Sequence, residues 1–299
     1  MTEYIATTGF FDGVHRGHVS VLNRLKEVGA QLNLPVCVIT FWPHPRIVLN
    51  KDKENLQLLS TIEEKKQRIK SLGIDKVFVI PFTKEFAGIS PEEFIRDILI
   101  KEYHVKGLCV GYDHHIGKDR SGGFETIKKI CDEQGIYCEQ VNPLKDEDLV
   151  ISSQKIRNNL QQGNLHIANS MLGYSYNLTG LVSHGMKLGR TIGFPTANIE
   201  MTDGYKLIPA DGVYAVKIKV EGICENYKGM LYIGKKPTVD NSGKTVIEVN
   251  IFNFEGDIYN KDITVSFEYF VRGDMKFNSI DDMKIQLKRD KEVVLSTQY

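Results

Sequence analysis

The hydrophobic period of this chain changes once, just after residue 162, and that change confines it to two unlike halves. Before it, an apolar run from Tyr4 to Phe11 and β-branched runs at Val36 to Phe41, Lys76 to Pro81, Lys106 to Gly111 and Ile136 to Val141 alternate with longer amphipathic segments. Val21, Leu22, Leu25, Val28 and Leu32 recur at helical spacing. Phe94, Ile95, Ile98 and Leu99 follow Ser90-Pro91-Glu92-Glu93, a cap, a first-turn proline and an acidic first turn. Strands alternating with helices predict a doubly wound parallel sheet, covered on both faces, with its ligand crevice at the carboxyl ends of the strands. Ile151 to Gln162 reads as a last helix, begun by Ser152 or Ser153, and Gly163-Asn164 as a turn. From about Tyr176 the pattern is short alternating segments, Tyr214 to Val220, Lys228 to Ile233, Val246 to Phe254 and Ile263 to Tyr269, which predicts antiparallel β-structure closing into a small barrel. A helix over Ile280 to Leu295 ends the chain, its helicity resting partly on Lys, Gln and Glu propensity.

At 299 residues, two domains are the natural division. Lys+Arg and Asp+Glu are both 38, so no global field draws the chain to nucleic acid or an anionic membrane, and any anion must be gripped locally. No stretch approaches the roughly 20 apolar residues that span a bilayer. The first residues, MTEYIATTGF, lack the basic and apolar regions of a signal peptide, which predicts a cytoplasmic protein. Five cysteines without a CxxC pair fit reduced, mostly packed thiols. The charged run Lys51 to Glu54 reads as a solvated loop tip.

The junction after the first strand carries the densest chemistry. In GFFDGVHRGH (Gly9 to His18) a glycine-relaxed turn lets backbone amides approach an anion, the following helix adds its positive end, and the imidazoles of His15 and His18 can donate to phosphate oxygens. His-x-x-His also suits zinc, and a structural role for both rings is the third reading. Phe41-Trp42-Pro43-His44-Pro45 offers a rigid aromatic wall for a flat ring, or an ordinary rigid loop. Gly111-Tyr112-Asp113 with Gly117-Lys118-Asp119-Arg120 brings two cations to a loop after a strand, suited to polyphosphate or simply solvated. Ile151-Ser152-Ser153-Gln154-Lys155-Ile156-Arg157 places hydroxyls at a helix start and a guanidinium one turn on, for phosphate or for capping.

In the second half, Gly185 to Asn198 (GMKLGRTIGFPTAN) lets the chain fold closely round an anion, and Thr196 and Asn198 project oxygen ligands to one side if the segment is extended. Such ligands with ATP phosphates suit Mg²⁺, although a Gly-rich loop and a Pro-Thr turn also serve structure alone. Glu248, in Ile247-Glu248-Val249-Asn250, lies in an alternating strand whose neighbours point the other way.

In order and spacing, the first-half motifs resemble the nucleotidyltransferase half of the bacterial bifunctional riboflavin kinase/FMN adenylyltransferases, the FAD synthetases. Gly185 to Asn198, Glu248 and Val271 to Phe277 (VRGDMKF) resemble their riboflavin kinase half. The resemblance implies a Rossmann-like α/β adenylyltransferase domain over 1–172 and an all-β Greek-key barrel kinase domain with a terminal helix over 173–299. It implies phosphorylation of riboflavin to FMN, then adenylylation to FAD with release of pyrophosphate, both from Mg-ATP. His15, His18 and Arg157 would hold ATP phosphates during adenylyl transfer, with Gly9, Phe11, Asp12, Gly17 and Ser153 completing that site. Gly189, Thr196 and Asn198 would bind ATP in the kinase, Thr196 and Asn198 through Mg²⁺, and Glu248 would be its base. Phe41, His44, Asp113 and Arg120 in one half, and Arg272 and Phe277 in the other, are the flavin candidates. Tyr232 to Thr238 is similar to the family's NIGxRPT segment, a loop near the nucleotide. The chain departs from the common pattern at Phe10 for Asn, Gln154 for Thr, Lys236 for Arg, Asn250 for His, Asn253 for Asp and Asp274 for Glu. Competing readings are a kinase whose first half has altered, a transferase for another substrate such as a pantetheine phosphate or nicotinamide mononucleotide, and a non-catalytic flavin sensor.

Overall fold

A computed structural model describes residues 1–50, 55–118, 121–142, 145–146, 149–185, 188–235 and 245–297. The predicted loop tip Lys51 to Glu54, Arg120, Met186, Lys187 and Lys236 to Thr238 lie outside the described residues. The chain forms two compact units, Met1–Ser153 and Gln154–Tyr299.

The first unit runs β1 (Tyr4–Thr8), α1 (Arg16–Leu32), β2 (Val36–Trp42), α2 (Pro45–Val48), α3 (Ile62–Ser71), β3 (Lys76–Pro81), α4 (Pro91–Glu93), β4 (Val105–Gly111), α5 (Phe124–Glu133), β5 (Tyr137–Val141) and a small pair, β6 (Lys145–Asp146) and β7 (Leu149–Val150). Its five-stranded sheet has the order β3-β2-β1-β4-β5, with every pairing parallel. Alternation along β2 explains why both faces must be covered. Val36 and Val38 pack with Leu22, Leu25 and Val28 of α1, while Cys37, Ile39 and Phe41 join Phe94, Ile95 and Leu99 on the other side. Gly29 permits the close seating of α1, since a Cβ there would stand 2.4 Å from Val36 Cγ1.

Two expectations are corrected here. β1 stops at Thr8 rather than running to Phe11, because Phe11, Gly13 and Val14 take positive φ (48, 77 and 37°) and turn the chain. The helix begun at Ser90 has its predicted cap and a full capping box, but after α4 it continues over Phe94–Glu102 with π-type spacing, Tyr103 N–H reaching back to Ile98 O.

The second unit takes in α6 (Ser153–Gln161) from its second residue onward, then α7 (Leu165–Leu172), β8 (Asn177–Ser183), α8 (Leu188–Thr191), β9 (Ala197–Glu200), β10 (Gly212–Val220), β11 (Asn226–Lys235), β12 (Thr245–Ile251), β13 (Asp262–Arg272) and α9 (Ile280–Ser296). The strands close a barrel in the order β10-β11-β12-β9-β8-β13, all antiparallel. Leu160 O accepts from Ala210 N–H, and Asn169 bridges Phe267 O and Tyr176 N–H, so both short helices are tied to the barrel. β12 ends at Ile251, short of the predicted Phe254, where Asn253 turns the chain at φ 54°. Tyr214, Val216, Leu231, Ile233 and Val249 are wholly buried, and the alternate residues of these strands meet α9.

Candidate functional sites

Strand order in the first unit reverses between β1 and β4, which opens a crevice at their carboxyl ends. Thr8 Oγ1, at the end of β1, is hydrogen-bonded to His114 Nε2 at 2.9 Å. In the turn beyond, Asp12 Oδ1 accepts from the N–H groups of Leu59 (2.9 Å) and Ser60 (3.2 Å), and Asp12 O accepts from the Ser153 hydroxyl (3.0 Å). Gly9 N–H donates to Ile39 O, Gly13 N–H to Ser60 Oγ and Val14 N–H to Phe11 O. These amides, expected to face an anion, are committed to the turn. The Gly17 amide, in the first turn of α1, makes no hydrogen bond among the described residues.

His15 caps α1, its Nδ1 accepting from His18 N–H at 3.4 Å, an arrangement in which the ring proton sits on Nε2. The two imidazoles stack at 3.7 Å between centroids, 17° from parallel, with the Phe11 ring 5.2 Å from His18. His18 Nδ1 is buried without a hydrogen-bond partner. Burial first, then the charges of His15 and Lys65, holds the His18 pKa well below the usual histidine value, so its ring is neutral at neutral pH. Lys65 is a residue the sequence reading missed. It sits on α3, one turn before the buried Ile69, only 5% exposed and without a hydrogen bond or ion pair among the described residues.

Burial lowers the Lys65 pKa to about 8 from 10.5, with Asp12 opposing. Because the folded value is the lower one, the charged ammonium penalises the fold below pH 8, and that penalty is relieved as pH rises toward 10.5. Relative to Lys65→Met, the wild-type first unit should gain about 2 to 3 kcal/mol between pH 7 and 10. Denaturant unfolding followed by the single tryptophan, Trp42, reads this unit; superimposable pH curves for the two proteins would refute it.

The predicted flavin wall is an aromatic cluster. Phe41, 8% exposed, packs against Phe10 (5.3 Å), Phe86 (5.4 Å) and Phe94 (6.0 Å), and Phe10 also meets His44 (5.1 Å) and Phe82 (6.1 Å). Phe41 is thus mainly core, and the half-buried Phe10 and His44 form the accessible edge. His44 also caps α2 through Nδ1. Asp113 lies exposed just beyond β4, its carbonyl 3.0 Å from His115 Nδ1. In the second unit, Arg157 Nη1 donates to Gln154 Oε1 at 3.1 Å and Gln154 Nε2 to Asn158 Oδ1 at 2.9 Å, so the unusual Gln154 steadies the guanidinium.

The barrel site is better formed. Register pairs Val213 with Tyr232, Tyr232 with Glu248, and Glu248 with Asn198, which puts these side chains on one outer face of four strands. Between that face and Met283 and Leu287 of α9 lies a cavity of about 370 Å³, lined also by Gly189, Thr196, Asn250, Arg272 and Phe277. The Thr196 hydroxyl donates to Glu248 Oε2 at 3.2 Å. Ile247 and Val249 are buried on the opposite side, as the alternation requires. Asn250, a residue the sequence reading noted only as a departure, is 6% exposed and donates from Nδ2 to Pro195 O at 2.6 Å, holding the loop that carries Thr196. The Tyr232 hydroxyl donates to Asp274 Oδ1 at 3.1 Å across the rim.

Gly189 is required for its size, because a Cβ there would stand 2.2 Å from Phe194 O. Gly189→Ala should therefore displace the Phe194 to Thr196 turn and cut turnover in the barrel cavity by an order of magnitude or more while sparing reactions of the first unit. Full retention of barrel-site rates in the variant would contradict this.

Comparison with known proteins agrees with both sites. A family model described as FAD synthetase matches residues 1–155, and one described as riboflavin kinase matches residues 172–297. Curated relatives named bifunctional riboflavin kinase/FMN adenylyltransferase include one from Bacillus subtilis, 38% identical over 96% of this chain and 90% of its own length, and one from Escherichia coli K12, 37% identical over the same shares. A Streptococcus pneumoniae crystal structure titled as a macrolide-efflux protein superposes with a TM-score of 0.90 at 32% identity, covering 99% of this chain and 95% of that one. Among the described residues of the present chain, no helix is long and apolar enough to cross a membrane. With both modules matched in order, the chain belongs to the family of bifunctional riboflavin kinase/FMN adenylyltransferases.

Proposed function

We propose that the second half, 173–299, phosphorylates riboflavin to FMN in the barrel cavity, and that the first half, 1–172, adenylylates FMN to FAD at the stacked histidines. The enzyme consumes ATP in both steps and releases pyrophosphate in the second. The observation that carries the kinase assignment is the Thr196 to Glu248 hydrogen bond inside a cavity large enough for a flavin tail. Glu248 accepts the proton of the terminal ribityl hydroxyl as that oxygen attacks the γ-phosphorus of ATP and ADP departs. Thr196 and Asn198 hold Mg²⁺: the Thr196 oxygen keeps a free lone pair, Asn198 supplies a carbonyl on the same face, and hard oxygen donors are what this ion selects. The ion, when bound, neutralises phosphate charge. Gly189 makes room for the phosphates beside them.

In the first half, an FMN phosphate oxygen attacks the α-phosphorus of ATP in line, and no covalent intermediate is needed. His15 Nε2–H and the His18 ring donate to phosphate oxygens, assisted by the Gly17 amide and the buried Lys65 ammonium. Gly9, Phe11, Asp12 and Ser153 shape this turn and contact ATP at its edge. Phe10 and His44 border the FMN ring above Phe41, with Asp113 beyond. Two imidazoles and an unpaired ammonium in one place favour a polyanion there. Five free thiols, three of them buried, support a reducing, cytoplasmic setting.

Purified protein incubated with riboflavin, ATP and Mg²⁺, with flavins resolved by chromatography, tests the whole reading. FAD is expected; FMN as sole product would restrict the chain to a kinase, and unchanged riboflavin would overturn catalysis altogether.

A further inference from the structure

One buried ion pair stands just outside the barrel cavity. Asp290 of α9 is 2% exposed and grips Arg272 at the end of β13 side-on: Arg272 Nε lies 3.1 and 3.0 Å from the two carboxylate oxygens and Nη2 lies 2.8 Å from Oδ2. Gln286, one turn earlier on α9, donates from Nε2 to Asp290 Oδ1 at 2.8 Å, and Arg272 Nη1 donates to Gly273 O at 2.9 Å. Arg272 lines the cavity, and its guanidinium lies 5.8 Å from the Phe277 ring.

Of the five guanidinium N–H groups, three are spent on Asp290 and Gly273, leaving one on each terminal nitrogen. Those two form a parallel, forked donor edge. The carboxylate also cancels the arginine charge, which removes the advantage a phosphate would have there over a neutral acceptor. Resting on the kinase reading above, we infer that Asp290, supported by Gln286, is a positioning residue: it fixes Arg272 as a charge-neutral, two-donor edge for the pyrimidinedione end of riboflavin, so that the terminal helix sets flavin affinity. Phosphate recognition is left to Gly189, Thr196 and Asn198.

Asp290→Asn keeps the shape but loses the second acceptor and the charge. Its dissociation constant for riboflavin, measured by quenching of flavin fluorescence without ATP, should rise about tenfold, as loss of a charge-assisted contact predicts. KM for riboflavin should rise in parallel, with kcat and KM for ATP within about twofold. In an Arg272→Met background, Asp290→Leu should leave the riboflavin dissociation constant unchanged, because the residue acts only through Arg272. That double variant replaces the pair with apolar side chains of similar size, which buried pairs tolerate. Unchanged riboflavin binding in Asp290→Asn, or additive effects in the double variant, would overturn the inference while wild-type FMN formation stood. Wild-type protein that bound riboflavin without phosphorylating it would overturn the kinase reading and leave this binding test intact.

Discussion

Glu248→Gln should lower riboflavin phosphorylation by about 10² to 10⁴, the contribution of a positioned base, and leave conversion of FMN to FAD at wild-type rate. The substitution is isosteric and the amide oxygen still accepts from Thr196, so the barrel face and its cavity persist. What disappears is the lone pair that receives the ribityl proton. KM for both substrates should change little, because the effect falls on a bond made in the transition state. Flavin chromatography with riboflavin or FMN as the starting substrate separates the two steps. A folded Glu248→Gln protein with normal FMN formation would remove Glu248 from the chemistry, and one that had lost both activities would break the division of labour between the halves.

His18→Ala is expected to do the reverse, reducing adenylyl transfer by about 10² to 10³ with phosphorylation intact. The ring's pKa is depressed by burial and by neighbouring His15 and Lys65, an arrangement held in waiting for negative charge. Bound triphosphate favours the protonated form, so ATP binding to the first half should take up a fraction of a proton at and below neutral pH. Calorimetry in buffers of different ionisation enthalpy measures that uptake, which should vanish in His18→Ala. Uptake equal to wild type in the variant would move the titration to another group. Loss of riboflavin phosphorylation in folded His18→Ala would show that the two sites are not separable.

Much of this was legible in one dimension. Alternation of β-branched and amphipathic runs located β2 to β5 and the major helices of the first half, and period-2 segments located β10 to β13. The stacked pair His15 and His18 came from motif spacing, and the cavity group Gly189, Thr196, Asn198, Glu248, Arg272 and Phe277 from the resemblance of their motifs to the family. Strands β8 and β9 and helix α7 were passed over, and helices α3 and α5 were expected only as unbounded amphipathic segments between strands. Asp12 and Gly9 read as nucleotide contacts, yet their hydrogen bonds go first to Ser60, Leu59 and Ile39, partners that no local pattern announces.

The sequence by itself determined element type, the order of the two modules and the residues able to do chemistry, because each depends on neighbours three, four or two positions away. Tertiary structure alone decided which of them meet. Thr196 reaches Glu248 across 52 residues through strand register, Asp290 reaches Arg272 across 18 through the seating of α9, and Lys65 acquires its depressed pKa only because packing closes over it. Register and burial are properties of the assembled core, and a hydrogen bond or a desolvated charge exists only once that core has excluded water.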